Sequence, residues 1–319
     1  MQVTPQPLDT AFAADVLAGL GQTPKRLSSK YFYDSAGSDL FQQITQLPEY
    51  YLTRTEEAIL RQQGPQLAQR WAGETLDVLE LGAGDGTKTA LLLEAFLGAG
   101  VAARYLPIDI SEKALADLSA HLAAVLPTVP VAPQLADWGH GLEVAFRPDR
   151  RRLVLFLGSN IGNLLPEEAE SLFALLYARL GPGDALLVGF DRVKDPAVLV
   201  PAYADSAGVT AQFNLNLLRR MNRELGADFD TTCFRHFATY NPDRQAMESY
   251  LLSTCVQQVH VGALGRTFRF EAWEALHLEY SHKFTLARIG ALGAGAGFQL
   301  EELYQDPQGW FADALFTRM

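Results

Sequence analysis

One short stretch near residue 80 constrains the fold more than any other part of the 319-residue chain. Residues Thr75 to Thr89 read TLDVLELGAGDGTKT, in which apolar and β-branched residues run up to Leu81 and three glycines follow at alternate positions. This order predicts a buried strand, then a sharp turn that glycine adopts most easily, and then a helix from about Thr87. A helix start presents free N–H groups and a partial positive charge, so the corner suits a small ligand with an anionic group.

The spacing of the glycines separates two classes of cofactor. A dinucleotide fingerprint, G-x-G-x-x-G, would place its third glycine at position 87, but that residue is Thr87 and the third glycine is Gly86. The pattern that starts at Glu80 and includes Gly82 and Gly84 is E-x-G-x-G-x-G. It resembles the first motif of class I methyltransferases, which use S-adenosylmethionine. A tight strand-to-helix turn without a ligand is the alternative interpretation.

Two acidic positions further along support a cofactor site. Residues 104–110 predict the next strand, with Asp109 at its carboxyl end, where a carboxylate can accept bonds from both ribose hydroxyls. The alternative is that Asp109 caps the helix before Ser111, and one residue serves only one of these roles well. Past the third predicted strand, Asp137-Trp138 stands where a methyltransferase commonly holds adenine, although such a pair at a loop start is also unremarkable.

Strands and helices alternate from residue 76 to residue 190, which predicts an α/β fold with a doubly wound, Rossmann-like, mostly parallel sheet. We expect strands at 76–81, 104–110, 129–135, 152–157 and 184–190, and helices at 87–97, 112–125 and 167–180. The fourth strand ends in GSNIGNL, a run of small and amide residues typical of an active-site rim, or else of an ordinary turn. Thr53 to Glu56 matches a capping box that would open a helix through about residue 63.

The regular alternation ends after residue 190. Residues 195–241 predict mainly helix, short strands are expected at 256–261, 266–270 and 277–284, and residues 297–304 and 310–317 predict final antiparallel strands. We therefore expect four segments. They are the N-terminal part of a smaller α+β substrate-binding lobe (1–60), the methyltransferase core (61–195), the inserted part of the lobe (196–285) and the C-terminal end of the core (286–319).

Composition narrows the function classes. A formal net charge of −11 argues against binding to nucleic acid or an anionic membrane surface, so we expect a small-molecule substrate. The two cysteines have no metal-site spacing, and no apolar run or N-terminal leader pattern is visible, which predicts a cytoplasmic protein. His260, His277 and His282 match no usual ligand spacing, so we expect no metal. A monomer is the expected state.

Longer stretches of the chain together resemble the histidine N-alpha-methyltransferases of ergothioneine biosynthesis. The resemblance covers nearly the whole chain, and its most specific stretches are KYFYDSAGSDLFQQITQLPEYYLTRTE, LELGAGDGTKT, FLGSNIGNL, VKDPAVLVPAYADSAGVTAQFN, NRELGADFD and LEYSHKF. It implies S-adenosylmethionine as the cofactor and transfer of methyl groups to the α-amine of free L-histidine, to the trimethyl betaine hercynine.

The resemblance also implies site residues. Tyr50, Asn163 and Tyr203 correspond to the residues that hold the substrate's α-carboxylate and α-amine, and Tyr33 lies close to the amine. Glu279 and Ser281 correspond to the pair that engages the imidazole ring. The implied cofactor contacts are Gly82, Gly84, Lys88, Asp109, Asp137 and Trp138.

One departure concerns the side chain of the substrate. Ser249 stands where the family often has a methionine over the imidazole, so an N-methyltransferase of another amino acid, tryptophan-like or imidazole-bearing, is the alternative. An alternative from another class is a regulatory module that binds S-adenosylmethionine without turnover. The intact Tyr50, Asn163 and Tyr203 set argues against it.

Overall fold

The structure is a computed structural model that describes residues 10–137, 142 and 150–318. The chain divides into two compact units. The first unit comprises Met1–Tyr50 and Asp195–Ser281, and the second comprises Tyr51–Lys194 and His282–Met319.

Helices and strands are numbered along the chain. The α-helices are α1 (Thr10–Gly21), α2 (Ser35–Thr45), α3 (Tyr51–Ala68), α4 (Thr87–Gly98), α5 (Glu112–Val125), α6 (Pro166–Arg179), α7 (Pro196–Tyr203), α8 (Val209–Leu225) and α9 (Leu286–Ala296). The strands are β1 (Thr75–Leu81), β2 (Ala102–Asp109), β3 (Gln134–Leu135), β4 (Arg151–Phe156), β5 (Ala185–Asp191), β6 (Phe234–Asn241), β7 (Ala246–Ser253), β8 (Gln257–Val261), β9 (Arg266–Phe270), β10 (Ala275–His282), β11 (Gln299–Gln305) and β12 (Phe311–Thr317).

The second unit is built on a seven-stranded sheet in the order β11-β12-β5-β4-β1-β2-β3. Strands β1 to β5 pair in parallel, whereas β12 runs antiparallel to both β5 and β11. Separate apolar clusters cover the two faces, one built around α3 and α4 and the other around α6 and α9. Burial on both faces explains why β5 reads as the continuous run ALLVGFD, all of it buried. This is the doubly wound, Rossmann-like, mostly parallel sheet that the alternation of strands and helices predicted, so the expected fold class is confirmed.

The first unit is a smaller α+β body. Strands β10, β7 and β6 form one sheet in that order, with β6 and β7 antiparallel, and β8 and β9 form an antiparallel hairpin. One apolar cluster fills the unit, in which Phe12 and Val16 of α1 and Phe213 and Leu217 of α8 lie among the side chains of the strands. Helix α8 ends at Gly226, whose left-handed backbone (φ 59°) terminates it.

Several expected elements and one expected boundary differ from the structure. The strand expected at 129–135 is limited to Gln134–Leu135. Helix α3 begins at Tyr51 and runs to Ala68, so Thr53 to Glu56 lies inside the helix and is not a capping box. The helix belongs to the second unit, which places the boundary after residue 50 instead of residue 60. Residues 234–241 form β6 and not a helix, because aromatic and β-branched residues in FRHFATYN suit a strand paired with β7.

Candidate active site

The glycine corner follows β1, an interior strand of the sheet in the second unit. Gly82, Gly84 and Gly86 all have positive φ (71°, 57° and 74°), the region that strains residues with a Cβ. The Gly82 N–H donates to the Ile108 carbonyl at 2.8 Å, which ties the corner to β2. The turn therefore leads directly into α4, whose first residue is Thr87. The predicted strand, glycine turn and helix are confirmed.

Asp109 lies at the carboxyl end of β2, against this corner. Its carboxylate accepts the Gly84 N–H at 3.0 Å and the Ser111 N–H at 2.8 Å. Helix α5 is capped by Ser111, whose hydroxyl accepts the Ala114 N–H at 3.2 Å, so Asp109 is not the cap. Burial raises the pKa of Asp109, and the backbone donors offset only part of that rise. A carboxylate has roughly four acceptor positions, and the backbone groups of Gly84, Ser111 and Ile110 do not occupy all of them, so acceptor capacity remains for a ligand's hydroxyl group.

Lys88 is held by a carboxylate that the sequence interpretation missed. Its Nζ donates to Glu56 Oε2 at 2.5 Å, and Glu56 is fully buried. The Gly158 N–H also donates to Glu56, at 2.8 and 2.9 Å to the two oxygens. Burial lowers the pKa of Lys88, but the attraction of Glu56 outweighs it and the net shift is upward. Lys88 is therefore a fixed cation at the start of α4, beside the end of β4.

The rim after β4 is a tight backbone turn. Gly158 and Ser159 both have positive φ (74° and 56°), and a short 3-10 helix, Asn160–Asn163, follows. Gly162 packs so closely on the chain that a Cβ there would lie 2.8 Å from the His282 carbonyl oxygen. This contact fixes the position of the half-buried Asn163. Asp137 is exposed past β3, and Trp138 lies outside the described residues.

In the first unit, the structure brings Tyr203 and Ser281 together. Tyr203 Oη and Ser281 Oγ are 2.7 Å apart, and the two residues are 8% and 4% exposed. His236 Nε2 lies 2.9 Å from the Tyr203 carbonyl oxygen, which secures the end of α7 against β6. The two hydroxyls form one buried polar pair that can accept or donate towards a ligand.

Ser249 and Glu279 are on neighbouring strands of the same small sheet. Ser249 is buried on β7 and pairs across the ladder with Ala238 on β6, so two small side chains face each other there. Glu279 is half-buried on β10, two residues before Ser281.

Tyr33 and Tyr50 flank one aromatic cluster of the first unit. Phe41 packs edge-on against both, with ring centroids 5.5 Å from Tyr33 and 6.2 Å from Tyr50, and Phe213 lies 5.6 Å from Tyr33. Both tyrosines are half-buried, so each presents part of its surface outside the cluster. An apolar body with a polar tip suits a residue that lines a binding site.

His277 lies between aromatic rings, with centroids 5.2 Å from Tyr250 and 4.1 Å from Tyr280. Burial lowers its pKa to about 4, so the ring is neutral at pH 7. Within 10–137, 142 and 150–318, no group of three or more possible ligands is placed to hold a metal ion.

A family model described as "Histidine-specific methyltransferase, SAM-dependent" matches residues 12–318 of the chain. The chain belongs to this family. It is 42% identical over 308 residues to a histidine N-alpha-methyltransferase of Mycolicibacterium smegmatis and to another of Mycobacterium tuberculosis, covering 97% of this chain and 95% of each relative. Ergothioneine biosynthesis protein 1 of Schizosaccharomyces pombe is 30% identical over 305 residues, covering 92% of this chain and 39% of that protein.

Membership of the histidine-specific methyltransferase family makes the chain an S-adenosylmethionine-dependent enzyme, as the glycine spacing predicted. The second unit fits this cofactor on its own geometry. Asp109 stands at a strand end with acceptor positions for hydroxyl groups, and the positive-φ glycines leave no Cβ in the corner before α4. Lys88 adds a fixed positive charge beside it.

Proposed function

We propose that this enzyme methylates the α-amino group of free L-histidine, three times in succession, and so makes the betaine hercynine for ergothioneine biosynthesis. The observation that carries the proposal is the buried Tyr203–Ser281 hydroxyl pair with Glu279 on the same strand. Two hydroxyls and a carboxylate are the groups that a polar amino acid with ring N–H groups requires. A cytoplasmic monomer stays the prediction from the sequence. Across the described residues, no helix is long and apolar enough to cross a membrane.

The roles of the residues follow the chemistry of the amine. When bound, S-adenosylmethionine supplies an electrophilic methyl group on a sulfonium centre. Asn163 and Tyr50 would orient the unprotonated amine so that its lone pair is aligned with that carbon. Alignment at about 3–3.5 Å can lower the barrier by roughly 7–11 kcal/mol. The Tyr33 ring offers a face that attracts the quaternary ammonium of the product.

Glu279 gives the sharpest test. A carboxylate that accepts an imidazole N–H favours a ring that donates, and buried polar groups left unpaired reject other side chains by up to ~10⁴-fold. We expect Glu279→Ala to lower kcat/KM for histidine far more than for tryptophan or phenylalanine. The measurement is transfer of a labelled methyl group to each free amino acid, with product masses that count the methyl groups added.

Glu279→Gln is the matched control, because it keeps an acceptor oxygen and the side-chain length. It should retain more histidine activity than Glu279→Ala. Equal losses for histidine, tryptophan and phenylalanine would count against the imidazole contact, while unchanged rate and affinity in Asn163→Ala would refute the amine role of Asn163.

A second candidate substrate is an amino acid with a larger ring. It is favoured by the small Ala238 and Ser249 pair, which leaves room where the family often has methionine. Ser249→Met should then sharpen the preference for histidine over tryptophan in the same assay. No change in that preference would remove the reason for this candidate.

A further inference from the structure

The chain passes from one unit to the other at three places. Near each of these places, a side chain bonds to the carboxylate of Asp191. The passages lie after residues 50, 194 and 281. The bonding side chains belong to the second unit and lie within two residues of each passage. They are Tyr51, Lys194 and Lys283. We call these four residues the Asp191 cluster.

The Asp191 cluster is compact, and three of its four members are buried, whereas Lys194 is half-buried. The Tyr51 hydroxyl lies 2.8 Å from each Asp191 oxygen, and Lys283 Nζ lies 2.7 Å from Oδ2. Lys194 Nζ donates to Oδ1 and also to the Tyr51 hydroxyl at 2.8 Å. Tyr51 is 1% exposed, and Asp191 and Lys283 are fully buried. Burial alone would raise the pKa of Asp191, but the two ammonium groups outweigh it and lower the pKa, so the carboxylate is charged.

The backbone of Asp191 adds a fourth attachment. Its N–H donates to Ser159 Oγ at 2.9 Å, and Ser159 opens the rim turn that carries Asn163. Its carbonyl accepts the Phe284 N–H at 2.9 Å. Asp191 therefore holds the rim turn as well as the three passages.

A contribution to the stability of the fold is a weak explanation for the buried ions of the Asp191 cluster. Desolvation of buried ions cancels much of their mutual attraction, and apolar side chains of similar volume often serve as well. What the ions provide here is a defined geometry at particular backbone positions. Tyr51 is bonded covalently to Tyr50, Lys283 follows Ser281 by two residues, and Ser159 precedes Asn163 by four.

We infer that Asp191 is a positioning residue for the amino-acid substrate, because it fixes the backbone next to Tyr50, Asn163 and Ser281. The inference rests on the proposed assignment of those three residues to the amino acid. Asp191 touches no reacting atom in this role. Its effect reaches the substrate through the residues that it holds.

Tyr51→Phe is the mildest test, since it removes one hydroxyl and keeps the ring. Loss of a hydrogen bond to a charged group predicts a rise in KM for histidine of roughly 10-fold, with a smaller change in kcat. The dissociation constant of S-adenosylhomocysteine, measured by calorimetry, should stay within about twofold, as expected for independent sites. Asp191→Asn combined with Lys194→Met removes one charge of each sign and should raise KM further.

Tyr304→Phe is the matched control, because the Tyr304 hydroxyl also donates to a carboxylate of the second unit, Glu302, at 2.7 Å. It should leave KM unchanged. An unchanged KM in Tyr51→Phe and the double variant, or a loss of S-adenosylhomocysteine affinity in step with KM, would overturn the inference. The wild-type assay separately decides the proposed function: if another amino acid is methylated, its KM is the one compared.

Discussion

Glu80 and Asp191 are both buried carboxylates near the carboxyl ends of parallel strands in one sheet, yet their surroundings drive their charge in opposite directions. Glu80 accepts hydrogen bonds from two neutral hydroxyl groups, those of Thr89 at 2.6 Å and of Tyr105. Burial outweighs them and raises its pKa to about 7. Asp191 has two ammonium partners, and its pKa is lowered. Burial therefore does not set the charge of a carboxylate by itself; the charge of its donors decides.

The largest change in the free energy of unfolding should come from removing the carboxylate of Asp191, which is the charged one of the two. Asp191→Ala leaves the Lys194 and Lys283 ammonium groups without their carboxylate, which should lower the free energy of unfolding by about 3–5 kcal/mol. Urea denaturation at pH 7 measures it. Adding Lys283→Met to Asp191→Ala should recover part of the loss. A loss below about 1 kcal/mol would mean that the ions are compensated in another way.

The next largest change in the free energy of unfolding concerns Glu80, and its size depends on pH. Below the unfolded pKa of 4.5 the carboxyl is protonated in both states and contributes no penalty. As the pH rises from 4.5 to about 7, the unfolded chain releases this proton first, so stability falls; above about 7 the penalty is complete. Glu80→Gln should therefore raise the free energy of unfolding at pH 8 by up to about 3 kcal/mol.

The same Glu80→Gln variant should gain little at pH 4, where wild-type Glu80 is already neutral. Thermal unfolding at the two pH values tests this. An equal gain at both would show that packing, and not the buried charge, explains the result.

The smallest change in stability is expected from the Tyr105 hydroxyl, which donates to Glu80. Tyr105→Phe removes one hydroxyl that favours ionised Glu80, so the pKa of Glu80 should rise further and the upper end of its pH window should move up. The loss of stability should be about 1 kcal/mol. Stability measured against pH in steps would detect the displacement, and an unmoved window would show that the Tyr105 hydroxyl does not affect the ionisation of Glu80.

The glycine corner and the position of Asp109 beside it could be predicted because their signals are local. The glycine corner is contiguous in sequence, and Asp109 ends a clearly apolar strand, so both were placed from pattern alone. The role of Glu56 could not be predicted from its local sequence. It matched a capping box three residues after Thr53, but it is buried and bonds Lys88 and Gly158, far from it in sequence.

The residues that we propose for the amino acid could not be predicted from periodicity, and only the family resemblance implied them. Tyr203 and Ser281 are separated by 78 positions, and no local pattern pairs them. The strands β6 and β7 were missed as a hairpin because their mixed polar and aromatic residues alternate only weakly. The Asp191 cluster was missed for a different reason: Tyr51 and Lys283 are distant from Asp191 in sequence, so no single stretch of the chain contains the cluster.

The backbone where the chain leaves the second unit lies directly beside the backbone where it returns. The Val193 N–H donates to the Phe284 carbonyl at 3.1 Å, and the Phe284 N–H donates to the Asp191 carbonyl. Residues 195–281 are therefore one insertion in the second unit, and backbone hydrogen bonds join the residues just before it to those just after it. A segment inserted at such a point can be exchanged for another without breaking the hydrogen bonds between the strands of the sheet.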